Sequence, residues 1–203
     1  MAVSAWVSTF GTLVIAGAAI WGERIRAAVL RPNLHLKLAS NVGEITELAR
    51  MEGDRVTALL PARYFHLKVI NRRRFPAAHE VQIFMTKLEI PGPDGQPRTI
   101  YSVPLPLMWQ YPALYQNPLR TIGYTTVAQA DLFSVQPGML KLTPVLVPNN
   151  LRNTFQPDAH FWITAIARGI DGESNSVRLR VDWDGTWERG DTEMSHHLTI
   201  ASA

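Results

Sequence analysis

The stretch RVDWDGTWERGDTE places five acids, Asp182, Asp184, Glu188, Asp191 and Glu193, within twelve residues. Hard cations such as calcium take several oxygen ligands from a flexible loop. Asp182, Asp184 and Asp191 are therefore the candidate cation ligands, and Asp182-x-Asp184-Gly185 is a fragment of a calcium loop. Arg180 stands where the first acid of such a loop would be, so no complete metal set is expected. Zinc needs three or four convergent ligands. The six histidines do not offer them: His196 and His197 are adjacent, and neighbours on a strand point to opposite faces. His35, His66 and His160 fall at the polar phase or the start of strand patterns and read as sheet-face residues, and His79 stands alone.

Nucleophilic catalysis has no foothold either. There is no cysteine, no G-x-S-x-G, no glycine-rich phosphate loop and no H-E-x-x-H. The expectation is no catalytic residue and no cofactor. The competing reading is a cation-dependent hydrolase built on the acidic loop 182–193.

The aromatic stretch LMWQYPALYQNP gathers Trp109, Tyr111 and Tyr115 between prolines. Aromatics in an irregular segment can anchor a partner protein, which makes these three the candidate binding residues. The favoured reading of the stretch is a long crossover whose aromatics cap the sandwich core. Trp162, Trp183 and Trp187 are expected in or at the rim of the core. Arg72, Arg73 and Arg74 form the densest basic cluster. A triplet is short of the broad basic face that nucleic acid requires, so it reads as a solvated turn. The net charge of +3 supports this: residues 1–31 carry +2 and the remaining chain only +1, with acids concentrated after residue 158. No nucleic-acid partner is expected.

The elements that must position these residues are strands. NLHLKLAS alternates Leu34, Leu36 and Leu38 against His35 and Lys37, and YFHLKVIN continues the period of two. In HEVQIFMTKLEI, Val81, Ile83 and Met85 alternate and Leu88 falls out of phase, which predicts a bulge. PGPDGQP reads as a hairpin loop. Pro104 and Pro106 confine TIYSVPLPLMW to an edge or an extended crossing. Further strands are expected at Thr121–Phe133, Met139–Val147, His160–Arg168, Ser176–Trp183 and His197–Ala201, with a hairpin turn in RGIDGESNS. Residues 43–58 read as a short helix or a charged loop. Eight or nine short strands with Gly/Pro/Asn punctuation and no crossover helices predict a mainly β, two-sheet antiparallel sandwich over 33–203.

Within this pattern, YFHLKVINRRRFPAAHEVQI resembles the strand–turn–strand of bacterial immunoglobulin-like domains of the adhesion-related type. Asn71 holds the turn position, Arg72–Pro76 form the turn, and Ala77 or Ala78 opens the next strand. The resemblance covers about twenty residues and implies an Ig-like sandwich fold, not an activity. The overall layout also resembles uncharacterised bacterial proteins with an N-terminal anchor and a compact β domain.

Residues 1–31 form the other predicted unit, one long N-terminal helix. No charged side chain occurs from Met1 to Gly22, and about 20 apolar residues cross a ~30 Å hydrocarbon core. Trp6 and Trp21 would lie about 22 Å apart on a helix, near the two interfaces. Phe10, Leu13, Ile15 and Ile20 supply apolar bulk between them. Arginines 24, 26 and 31 follow the span and keep the body cytoplasmic by the positive-inside rule, with no basic segment before it to suggest a cleaved signal. Ser8, Thr12, Ala16 and Ala19 form a small-residue stripe that permits self-association. The expected protein is thus a single-pass, membrane-anchored binding, adaptor or sensor module with another protein as partner. An alternative use of the helix is as an assembly element.

Overall fold

A computed structural model of the chain describes Gly22 and residues 31–53, 55–110 and 118–203. The expected membrane span, with Trp6, Phe10, Leu13, Ile15, Ile20 and Trp21, lies outside these residues. Among the described residues no helix is long and apolar enough to cross a membrane.

Two antiparallel sheets pack face to face. The first holds β1 (Leu34–Leu38), β2 (Glu44–Glu52), β3 (Arg55–Asn71), β8 (Val127–Gln136), β9 (Met139–Leu142) and β10 (Thr154–Phe155). The second holds β4 (Ala78–Pro91), β5 (Pro97–Tyr101), β6 (Leu105–Pro106), β7 (Arg120–Ile122), β11 (Ala159–Gly169), β12 (Gly172–Glu173), β13 (Val177–Trp183) and β14 (Leu198–Ser202). The first runs in the order β1-β3-β8-β9-β10, with β2 also on β3; the second runs β14-β13-β11-β4-β5. Phe65 and Phe133 stack at 4.7 Å between centroids, and Phe133 meets Phe161 of the other sheet edge-on at 6.2 Å. The alternation read from the sequence is the inward set: Leu34, Leu36, Phe65, Leu67, Val69, Val81, Ile83 and Met85 are all buried.

The predicted bulge in β4 is present. Thr164 of β11 pairs with Lys87 and Ala165 with Met85, so Thr86 is the extra residue. The slip puts both Met85 and Leu88 inside, each almost without exposure.

Two side closures join the sheets. Residues 105–110 cross from one to the other: Leu107 N–H donates to Ile83 O in β4, and Asp131 N–H of β8 donates to Met108 O. This is the extended crossing that Pro104 and Pro106 predict. On the other side, Asn175, before β13, reaches β1. Its amide donates to Leu36 O at 3.0 Å and its Oδ1 accepts from Leu36 N–H at 2.9 Å. One side chain thereby supplies both backbone bonds that Leu36 on this edge strand would otherwise lack.

Asn71 ends β3 at the arch into the second sheet. Its Oδ1 accepts from the N–H groups of Asn33 and Arg73, and its amide donates to the carbonyls of Pro76 and Ile122. The arginines that follow it, 72–74, are exposed, as a solvated turn requires.

Residues 43–58 are corrected. They form neither helix nor charged loop but β2, the turn and the start of β3, a long hairpin. β1 and β2 lie in line along one side of β3, joined at Gly43. Gly43 has φ +71°, and a Cβ there would sit 2.7 Å from Tyr64 O, so only glycine fits. β8 covers the other side of β3 only from Arg63 to Ile70. The part of the hairpin beyond Arg63 therefore projects past the sheet. The C-terminus also differs from expectation. His197 closes α1 (Asp191–His197), and the strand begins one residue later.

Candidate functional site

The outer face of the first sheet carries a groove of about 260 Å³ lined by Glu44, Ile45, Thr46, Leu48, Tyr64, His66, Gln110 and Asp131. Its floor depends on a bulge in β8. Phe65 pairs with Phe133 and His66 with Asp131, leaving Leu132 as the extra residue. Without that slip residues 131 and 133 would share a face. With it, Phe133 turns into the core and Asp131 turns outward, opposite His66.

His66 is 6% exposed. Its Nδ1 lies 2.9 Å from Asp131 Oδ1. An ionised carboxylate can only accept, so Nδ1–H donates to Asp131. Nε2 is buried and has no hydrogen-bond partner. Glu44 Oε2 stands 3.3 Å from it, so the imidazole lies between two carboxylates. Gln110 donates to the same Glu44 oxygen at 2.9 Å. Tyr64 lies nearly parallel to the imidazole, 6.2 Å between centroids. Burial, then the charge of Asp131, raises the Tyr64 phenol above its ordinary value against a hydrogen bond with Ser134 that lowers it. The phenol therefore stays neutral. Ile45 and Leu48 form the apolar wall, and no lysine or arginine is among the lining residues.

The projecting hairpin rises beside this groove. Leu59 pairs with Ala49 and Leu60 with Leu48, so one leucine faces each side of the ribbon. Val56 is 57% exposed, Leu59 59% and Leu60 39%. At the base, Arg63 is fully buried and points to the opposite face. It donates to Asp191 Oδ1 at 2.6 Å, to Arg189 O at 2.7 Å and to Val42 O at 2.5 Å. These bonds hang the loop before α1 onto the hairpin.

The sequence-predicted sites fare differently. Asp182, Asp184 and Asp191 are not brought together. Asp182 pairs with Arg180 and His160, Asp184 with His197 and Asp191 with Arg63. Among the described residues no group of three or more His, Asp or Glu is arranged to hold a metal. His160 sits between Asp182 and Asp158. The hydrogen bond it donates to Asp182 raises its pKa above 6.5, burial opposes this, and Asp158 adds to the rise. The His197 contact holds Asp184 below the ordinary carboxylate value.

Trp109, named as a candidate partner-surface residue, lies inside. It is 4% exposed, and its indole N–H is shared between Gln82 Oε1 and Pro118 O. It caps the core from the crossing segment, the other of the two readings. Tyr111 and Tyr115 lie outside the described residues. Trp183 is fully buried and Trp187 packs against the core, as expected.

His66 was legible as a strand residue of polar phase, and Asp131 was not visible as its partner. The signal available was a lone acid inside the apolar run ADLFSV of β8, since an acid in a buried strand needs a partner.

Fold and site define a two-sheet β-sandwich with a histidine-floored groove and an apolar hairpin at one end. Comparison with protein-family models, with curated proteins and with solved structures finds no match to this chain.

Proposed function

We propose that the chain is a membrane-anchored β-sandwich that acts by binding another protein, with the β2–β3 hairpin and the adjoining groove as its docking face. The single observation that carries this is the exposure of Val56, Leu59 and Leu60 on a ribbon that extends beyond its own sheet. Clustered apolar residues left in water at one place mark interaction surfaces. The N-terminal 31 residues hold the body at the cytoplasmic membrane, body inward, and their small-residue stripe allows self-association. The Ig-like resemblance around Asn71 fits a scaffold that displays loops and hairpins. Of the acids in the hydrolase alternative, Asp182 pairs with Arg180, Asp191 with Arg63 and Asp184 with His197, and this dispersal favours binding over hydrolysis.

The test is site-specific photo-crosslinking in cells. A photoreactive residue at Leu59 or Leu60 should give discrete adducts. The same residue at Ile170, 69% exposed on a distant turn, should not. Leu60→Asp should abolish the adducts formed from position 59. Equal labelling from both places, or none from the hairpin, would defeat the docking reading. The anchor is tested separately. The full chain should pellet with membranes and resist carbonate, and Ile15→Arg should shift it towards the soluble fraction, since a central arginine costs on the order of 3 kcal/mol on insertion scales.

A further inference from the structure

We propose that the end of the sandwich at which Arg31 enters lies on the bilayer surface, with Arg72 and Arg74 among anionic lipid headgroups and Phe75, Tyr124 and Ile170 set into the interface. This rests on the reading of residues 1–31 as a membrane anchor and names the surface of the body that the anchor holds down.

Three loops meet the entering chain at that end, and hydrogen bonds tie them together. Arg72 N–H donates to Asn33 O, and the Arg73 guanidinium donates to Arg31 O at 3.2 Å. Ala78 pairs with Ile122, just before the turn that carries Tyr124. His79 N–H donates to Asp171 Oδ2, and its carbonyl accepts from Ile170 N–H. The 72–77 loop, the 123–126 turn and the 169–172 turn therefore share one surface with residues 31–33. Phe75 is 74% exposed and Tyr124 57%, and Ile170 and Val127 also stand in water there. Apolar side chains gathered at one exposed place mark a contact surface. Arg31, Arg72, Arg73 and Arg74 are exposed beside them. The acids of the same loops are Glu80, Asp171 and Glu173, and Glu173 is paired with Arg168, so the surface is net basic.

Aromatic and apolar side chains among arginines suit a headgroup layer, which accepts both. The cytoplasmic leaflet supplies the anionic lipid. Position favours lipid over a protein as the cover. The uncharged stretch ends at Gly22 and Arg31 follows nine residues later, at most about 30 Å of extended chain. β3 then runs from Asn71 back to Leu59, a length of about 40 Å at 3.2–3.4 Å per residue. The same placement that sets Phe75 on the lipid points the hairpin away from it, towards a cytoplasmic partner.

The chain has no cysteine, so a single introduced thiol can carry a nitrobenzoxadiazole label. Phe75→Cys, Ile170→Cys and Leu59→Cys are made one at a time in the full chain. Each is reconstituted into vesicles of three parts phosphatidylcholine to one part phosphatidylglycerol, doped with a shallow doxyl-lipid quencher. Labels at 75 and 170 should be quenched and the label at 59 should not. Arg72→Glu together with Arg74→Glu should lower the quenching at 75 about twofold or more, as should vesicles of phosphatidylcholine alone. Both arginines are exposed, and an unchanged circular dichroism spectrum confirms the fold; Arg73 stays because it bonds Arg31. In cells, a photoreactive residue at Phe75 should label lipid and give no protein adduct. No quenching at 75, equal quenching at 75 and 59, indifference to the arginine changes, or discrete protein adducts from Phe75 would each overturn the proposal. Flotation separates it from the anchor reading. A chain that floats with the vesicles without quenching at 75 keeps its anchor and loses this surface; a chain that does not float loses both.

Discussion

At the scale of single residues, buried charges and titrating pairs make the clearest predictions. Arg63→Met keeps the apolar stem but orphans the carbonyls of Val42 and Arg189, and should cost about 3 kcal/mol in urea unfolding. Asp191→Asn should cost less, because Asp191 is largely exposed. The pH dependence has two arms. Glu89 is buried, which alone would raise it, but Lys87 and Arg178 outweigh this and lower it below 4.5. Its stabilisation is present above pH 4.5 and is lost as pH falls through the depressed value. His160 is raised, so its contribution is complete below pH 6.5 and is lost as pH rises through the raised value. His35 opposes it: burial, then Arg72 and Lys37, lower its pKa against a hydrogen bond with Asn175, so the fold loses stability below pH 6.5. The two act on opposite sides of pH 6.5, so together they make the wild-type Tm decline in both directions from it. His160→Gln should remove only the alkaline decline, and an unchanged slope above pH 6.5 in that variant would refute the assignment. These pairings were only half legible beforehand. The acids and histidines of 182–197 were visible as a cluster, but a sequence does not say that Asp182, Asp184 and Asp191 each turn to a different partner.

At the scale of elements, the hairpin and the two closures behave oppositely. Leu59→Asp and Leu60→Asp remove no buried contact and should change stability by less than about 0.5 kcal/mol. Leu67→Ala, at a fully buried site of the same strand, should cost about 2–5 kcal/mol. A thermal melt of the three variants checks the contrast. Asn175→Ala leaves the N–H and carbonyl of Leu36 without partners and should cost about 2 kcal/mol. Loss of hydrogen-exchange protection confined to β1 is the signature to seek. Gly43→Ala should be disruptive out of proportion to its size, since both its φ and the approach of Tyr64 O exclude a methyl group. Alternation made β1, β4, β11 and β13 readable because one face of each is buried and the other solvated. It failed for β2 and the start of β3, where apolar residues stand in water on both faces and the period of two carries no contrast.

At the scale of the whole molecule, the core of residues 34–198 is closed by its own side chains. A chain beginning at Asn33 should show a β-type circular dichroism spectrum and melt cooperatively. An aggregated or unstructured product would mean that the N-terminal segment is needed for the fold. The sequence by itself determined the class of fold, two antiparallel sheets, because burying one face of a strand imposes a period of two that the order of the residues displays. It also determined the bulge near Leu88, because a phase slip in that period has no other remedy. It showed the absence of familiar catalytic motifs and the apolar stretch at the N-terminus. Tertiary structure alone decided the groove. His66 and Asp131 are 65 residues apart, and their meeting depends on the extra residue at Leu132 in a run, Leu132–Phe133, whose members are both apolar and give no phase to read. It also decided that Trp109 faces inward, because a crossing segment has no period and its burial is set by the two sheets that it joins.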